Sequence, residues 1–243
     1  MERLSAVALL ATWESGLTAS RTGRALLLHA AARPAEDRAA LLAVPVGERD
    51  AELFELRVAL FGERLDVLIT CGNCAEEMEF DFAAAQVVGA ARPADGPLVV
   101  AADGWQVSFR LPTTGDLAAV ERLPAAEARA ALLAECVLEA SRAGGPAAAD
   151  QLPEELRQRM AEAAAEADPC ADIRLNVACP QCGDRTKAGL DIVSHLWDEL
   201  DAWARGTLLD VHVLATAYGW SEPEILALSP LRRRYYLELC ADA

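Results

Sequence analysis

Two C-x-x-C pairs, Cys71 with Cys74 and Cys179 with Cys182, constrain the fold of this 243-residue chain more than any other feature. A C-x-x-C turn presents two sulfurs from one bend, and two such turns supply the four soft ligands of a tetrahedral structural zinc. Each pair lies between short strand-like runs, which indicates a strand, a knuckle and a second strand, twice over. We therefore predict one structural Zn²⁺ held by all four of these cysteines.

The long segment 75–178 separates the two pairs. Because the cost of closing a loop grows only logarithmically with its length, this separation does not prevent a shared site. The alternative is that each pair stands alone, as a redox pair or as core thiols, but a redox C-x-x-C opens a helix and neither pair does. Four thiolates would leave no open ligand position, so the predicted zinc is structural and does not activate water.

The rest of the sequence favours helix over strand. Alanine and leucine dominate the apolar residues, and aromatic residues make up only 5% of the chain. Alanine and leucine lose little side-chain freedom in a helix. We predict an α+β protein, mainly α with small β, in which a long insertion splits a four-cysteine zinc ribbon flanked by N-terminal and C-terminal helices. The predicted regions are an N-terminal helical region (1–64), a split zinc ribbon (65–90 and 171–191), an inserted hairpin with helices (91–170) and a C-terminal helical region (192–243).

Local patterns predict the elements of the insertion and of the C-terminal region. Thr113 or Thr114 can cap a short helix, and the spacing of Leu53 and Leu56 predicts a helix that ends at Gly62. The other predicted elements are a β-hairpin around Asp103-Gly104, a helix over 124–140, a linker over 141–150, a solvated helix over 153–169 and a long helix over 193–218.

Charge and cysteine usage limit the class of partner. Against 22 Lys and Arg stand 38 Asp and Glu, and the resulting formal charge of −16 repels phosphate, so nucleic acid is an unlikely partner. A zinc-ribbon module of a nucleic-acid or transcription complex is the alternative function, and it requires a basic face. Seven cysteines, an odd number, suit a reducing cytosol, and no apolar run is long enough to span a membrane. We expect a cytoplasmic protein.

Other reactive side chains form no recognisable catalytic motif, so we predict no enzyme. Cys136 is expected to be a small core residue, Cys170 a spare thiol near the zinc site and Cys240 a core or surface residue. An enzyme using Asp116 or Asp191 as acid or base is a third hypothesis, although nothing in the sequence pairs with either.

The C-terminal quarter is rich in aromatic and basic residues, which suit a protein interface. The alternatives are that the arginines complement a helix dipole and that the aromatics pack in the core. The candidate partner-binding residues are Trp220, Arg232, Arg233, Arg234 and Tyr235.

The segment Leu190–Leu239, and within it the run from Ala217 to Arg234 that begins AYGWSE, resembles the baseplate and baseplate hub assembly proteins of contractile phage tails and related injection systems. The resemblance extends to LPTTGDLAAV (111–120), the cysteine pairs and the opening helices. It implies a non-enzymatic assembly chaperone or structural component whose partners are baseplate or hub proteins. It also implies incorporation into a phage-tail-like particle.

Overall fold

The computed structural model describes residues 5–86 and 96–241. Helices and small antiparallel sheets alternate along the chain, so the predicted α+β class is confirmed. The chain divides into two compact units, Arg21–Val193 and Met1–Ser20 with Ser194–Ala243. The predicted boundaries at residues 90 and 91 lie outside the described residues, and the four-region division stays a prediction.

The described helices are α1 (Ala6–Gly16), α2 (Arg21–Ala32), α3 (Arg38–Ala43), α4 (Val46–Phe61), α5 (Thr114–Val120), α6 (Ala125–Cys136), α7 (Glu154–Ala167), α8 (Ile192–Tyr218), α9 (Glu222–Leu226) and α10 (Pro230–Ala241). The described strands are β1 (Arg64–Thr70), β2 (Glu77–Ala83), β3 (Leu98–Ala102), β4 (Trp105–Phe109), β5 (Val137–Arg142), β6 (Gly145–Pro146), β7 (Ile173–Ala178) and β8 (Arg185–Leu190). None of the helices in this part of the chain combines the length and apolar character needed to cross a membrane.

In the larger unit, α2 to α4 precede the first hairpin. Leu53 and Leu56 are buried on α4, as their spacing predicted, and Gly62 ends the helix with a φ of 95°. That angle lies in the left-handed region where only glycine fits without strain. A 2.6 Å contact between the buried His29 of α2 and Glu52 of α4 ties these two helices together.

The insertion contains a sheet with the strand order β3-β4-β5-β6. The predicted hairpin is confirmed: Asp103 and Gly104 form a two-residue turn with φ of 50° and 78°, which matches the twist of the flanking strands. Its buried core joins the sheet to α7 and comprises Trp105, Val107, Phe109, Leu152, Leu156 and Met160.

Three predictions for the insertion were wrong. The helix predicted over 124–140 ends at Cys136, and Val137–Arg142 is a strand because it pairs with β4. The predicted linker 141–150 contains the turn to β6, where Ala143 and Gly144 have φ of 50° and 83°. The helix predicted to be solvated, α7, buries one face on the sheet.

The smaller unit consists of α1 and the three C-terminal helices. The predicted long helix is confirmed as α8, and Trp13 of α1 donates to Asp201 of α8 at 2.8 Å. Gly16 is required at this contact, since a Cβ there would lie 2.3 Å from the Trp197 ring. A capping box between Ser221 and Glu224 starts α9.

Candidate metal centre

Two hairpins of the larger unit position the four cysteines. The knuckle 71–76 joins β1 to β2, and the knuckle 179–184 joins β7 to β8, so each pair lies between two strands as predicted. The first cysteine of each pair, Cys71 or Cys179, is buried, while the second, Cys74 or Cys182, is exposed. The cluster therefore lies at the edge of a small apolar core.

The two knuckles have the same backbone hydrogen bonds. In each, the amide of the first cysteine donates to the carbonyl five residues on, at 2.8 Å in both knuckles. The amide four residues on donates back to that cysteine's carbonyl, at 3.0 Å in 71–76 and 2.9 Å in 179–184. That fourth position is left-handed in both, with φ of 59° at Ala75 and 75° at Gly183. The knuckles are therefore local repeats of one conformation.

The four sulfurs converge on one point. Cys71 Sγ lies 3.7 Å from Cys182 Sγ, and Cys74 Sγ lies 3.6 Å from Cys179 Sγ, so each close pair joins the two knuckles. All four sulfurs lie within 4.8 Å of one another. Sulfurs arranged tetrahedrally around zinc at about 2.3 Å are about 3.8 Å apart, whereas a disulfide brings them to about 2.05 Å. The spacing fits a tetrahedral metal and excludes a disulfide.

The thiols also differ in acidity. The backbone amides of Cys74 and Asn73 donate to the Cys71 sulfur and lower the pKa of this thiol to about 6. The amide of Glu76 favours ionisation of Cys74, but desolvation and hydrogen bonds with the neighbouring thiols outweigh it and raise the pKa of Cys74 to about 12. One thiolate is thus stabilised while ionisation of a second is opposed, because the sulfurs are crowded. A bound divalent cation would remove that conflict.

Thr186 supports the cluster and was missed by the sequence reasoning. Its hydroxyl on β8 accepts the Gly72 amide of the first knuckle at 3.3 Å, and it also hydrogen-bonds the Cys71 sulfur. It therefore links the second hairpin to the first knuckle beside the sulfurs, and metal ligands commonly have such outer hydrogen-bond partners. Its position four residues after Cys182 is the only signal in the sequence, and that signal has no meaning until the hairpins are paired.

The remaining cysteines lie outside this cluster. Cys136 is buried at the end of α6, and burial raises the pKa of its thiol to about 11. Burial likewise raises the pKa of Cys170, with smaller contributions from Asp168 and Asp50. Cys240 is partly exposed on α10.

The carboxylates considered as catalytic groups have structural partners. Asp116 accepts two hydrogen bonds from Arg110 and closes the capping box of α5 with Thr113, and this network keeps the pKa of Asp116 below its usual value despite the cost of burial. Asp191 pairs with Arg21 at 2.7 Å and accepts the amide of the second residue of α8 at 3.1 Å.

The candidate partner-binding residues divide into exposed and packed ones. Tyr235 is 61% exposed, and Arg232 and Arg234 are also exposed on α10. Arg233 is buried and lies 3.6 Å from Asp210 of α8. Trp220 packs within an aromatic cluster, with its ring centroid 4.6 Å from that of Tyr218 and 4.9 Å from that of Tyr236.

The fold and the four-sulfur cluster define a mixed helical and sheet protein with a candidate structural metal centre. The family described as T4 bacteriophage base plate protein matches residues 30–196, and the chain belongs to this family. The resemblance to baseplate proteins is therefore confirmed. The matched range includes both cysteine pairs and the insertion, but it ends before the C-terminal run 217–234. No curated protein and no solved structure matches the chain significantly.

Proposed function

We propose that this protein is a non-enzymatic structural component or assembly chaperone of a contractile-tail baseplate or hub, with a ribbon closed by one Zn²⁺. Membership of the base plate protein family supports the baseplate role, and the convergence of four cysteine sulfurs within 4.8 Å supports the metal. Family membership supports a structural role. The proposal that the protein is non-enzymatic is also supported by the carboxylates of Asp116 and Asp191, because both have structural partners. The proposal of a zinc site depends on the convergence of the four sulfurs.

The ribbon has little else to hold it together. A two-stranded hairpin is at best marginally stable by itself, and the ribbon consists of two of them. The buried residues of their shared core are Ile69, Cys71, Met78 and Cys179, of which two are proposed ligands. Zinc would therefore supply the stability that larger domains obtain from apolar burial. In this proposal Cys71, Cys74, Cys179 and Cys182 hold the ion.

The proposed partner surface lies on α10. Leu231, Tyr235 and Leu239 are 64%, 61% and 60% exposed, and their spacing of four residues aligns them on one face of the helix. Arg232 and Arg234 flank this stripe. Exposed aromatic and arginine side chains beside apolar ones are typical of interface anchors, so we assign baseplate or hub partners to this stripe.

Trp220 and Arg233 contribute to the same surface indirectly. The Trp220 ring packs against Tyr236 of α10, and Arg233 contacts Asp210 of α8. Both side chains would hold α10 in place and leave its outer stripe free for a partner.

Co-expression with the neighbouring tail genes, followed by purification of the complex, tests this function. The matched variants are Leu231→Ala and Tyr235→Ala on the stripe, and Leu123→Ala at a 41% exposed position of the other unit. We expect the stripe variants to weaken capture of the partner at least tenfold, which corresponds to about 1.4 kcal/mol, and the control to leave it unchanged. Absence of any complex, together with normal tails when the gene is deleted, would refute the proposed role.

A further inference from the structure

The outer side of the first hairpin is acidic. Alternate side chains of a strand point to opposite faces, and the outward ones here are exposed. The acidic face comprises Asp66, Leu68, Glu77, Glu79 and Asp81, and the exposed Arg64 and Thr70 lie at its two ends. Leu68 is 61% exposed at its centre, directly opposite Glu79. Asp66 and Asp81 are also cross-strand partners, a like-charge pairing that destabilises a hairpin and that the contact of Arg64 with Asp81 offsets only in part.

The outer side of the second hairpin has the opposite charge. The basic face comprises Arg174, Asn176, Arg185 and Lys187, all exposed. Lys187 is the single lysine of the chain. Among the described residues no carboxylate lies within ion-pair distance of Lys187 or Arg185, while Arg174 pairs with Asp172 at 2.7 Å.

The two faces lie on opposite sides of the ribbon. The inward side chains of both hairpins meet in one apolar cluster, in which Val67 and Phe80 of the first hairpin join Leu175 and Val177 of the second. Since the inner faces pack together, the outer faces point away from each other. The ribbon is therefore a two-layer module with carboxylates on one side and cations on the other.

We propose that the basic face of one copy of this chain docks on the acidic face of a second copy, in a head-to-tail contact. Both faces are outer surfaces of two-stranded hairpins, so they match in extent as well as in charge. At a formal charge of −16, most other pairings of two copies are repulsive, and this pairing is attractive. The contact would cover Leu68 and place cations against the opposed pair Asp66 and Asp81.

Such a contact is heterologous, because the two copies use different surfaces. It builds a ring if the rotation between neighbours closes, and an open row if it does not. The contact uses neither α10 nor the C-terminal residues, so it is independent of which baseplate protein binds the stripe. It does require both hairpins to be held together, and it therefore rests on the proposed zinc.

A nucleic acid is the less favoured occupant of the basic face. The face offers three cations, one of which is already paired with Asp172, whereas proteins that bind duplex DNA through phosphates commonly make about 6–10 such contacts. The charge of the whole chain also opposes that partner.

Sedimentation velocity on the zinc-loaded full chain tests the proposal. We expect self-association at about 50 mM salt that weakens strongly at about 0.5 M, because exposed charges are screened over shorter distances as salt rises. The basic-face variant Arg185→Glu with Lys187→Glu and the acidic-face variant Asp66→Lys with Glu79→Lys should each associate at least tenfold more weakly. Mixing the two variants should restore association, since the intact acidic face of the basic-face variant can then dock on the intact basic face of the acidic-face variant.

A control variant distinguishes an effect of the acidic face from an effect of the net charge of the chain. Glu155→Lys with Glu166→Lys changes the charge of exposed positions on α7 by the same amount as the acidic-face variant and should associate like the wild type. A wild-type chain that stays monomeric at about 100 µM in low salt would overturn the proposal, because that concentration still reveals self-association with a dissociation constant of about 100 µM. So would variants that contain zinc but fail to associate when mixed.

Two further readouts keep the outcomes distinct. Metal content is measured on every sample, so that loss of zinc, which refutes the proposed metal centre, is distinguished from a zinc-loaded monomer, which refutes only the docking. Salt-sensitive binding of a short DNA duplex by a monomer, abolished by Arg185→Glu with Lys187→Glu, would instead assign the basic face to nucleic acid.

Discussion

Replacing Cys179 by serine should open the zinc ribbon while the sheet of the insertion stays folded. Apart from its ligands, the ribbon core fully buries Ile69 and Met78, each worth about 1.5–3 kcal/mol, and the side chains packed around them are only partly buried. Ordering a residue costs about 1–2 kcal/mol of backbone entropy, so this burial offsets only a few residues of the two hairpins. In small four-ligand sites, structural zinc contributes an apparent binding free energy of about 10–16 kcal/mol to folding. Loss of zinc should therefore leave the hairpins without net stability.

Hydrogen–deuterium exchange read by mass spectrometry measures this locally. In Cys179→Ser, peptides covering β1–β2 and β7–β8 should exchange at least tenfold faster than in the wild type, and peptides from β4 and α7 should keep their protection, because their core lies around Trp105 and Met160. Cys136→Ala is the control, since it removes a buried thiol outside the cluster. Equal protection of both hairpins in Cys179→Ser and wild type would show that Cys179 and its metal do not hold the ribbon together.

Three further outcomes follow from the same contacts. Gly183→Ala should lower the melting temperature of the zinc-loaded protein, and Ala75→Gly should leave it equal or higher. The reason is that both positions are left-handed and an alanine there costs about 1–2 kcal/mol. Equal effects of the two changes would contradict the knuckle conformation. Asp116→Asn should destabilise the protein at pH 7. This loss of stability should shrink as the pH falls below 3.8, because the lowered pKa of Asp116 stabilises the fold only where this carboxylate is ionised. A loss of stability that is independent of pH in thermal melts would count against the ion pair with Arg110. Met160→Ala should lower the free energy of unfolding in urea by about 2–5 kcal/mol without loss of zinc, because this side chain is fully buried against the sheet. A smaller decrease, or a loss of metal, would contradict a core of the insertion that is separate from the ribbon.

The parts of the fold that the sequence predicts are those with strong local signals. The spacing of each C-x-x-C pair predicts a knuckle, Asp103-Gly104 predicts a hairpin turn, and a threonine at position 113 or 114 predicts a helix start. In each case a few neighbouring residues carry the whole structural requirement, so no tertiary contact has to be known.

Other parts depend on distant partners. Val137 continues an alanine-rich helical run and becomes a strand only because β4 offers backbone groups to pair with. Ala143 occupies a left-handed turn position that local propensity would assign to glycine or asparagine. Thr186 reaches the cluster only after the two hairpins meet, and the opposite charges of their outer faces have meaning only once the register is known.

X-ray absorption at the zinc edge, on reduced protein purified without added chelator, tests the metal centre most directly. We expect one zinc per chain with four sulfur neighbours at about 2.3 Å, supplied by Cys71, Cys74, Cys179 and Cys182. Protein that is folded through both hairpins but contains no zinc, or zinc bound by nitrogen or oxygen in place of these sulfurs, would contradict it.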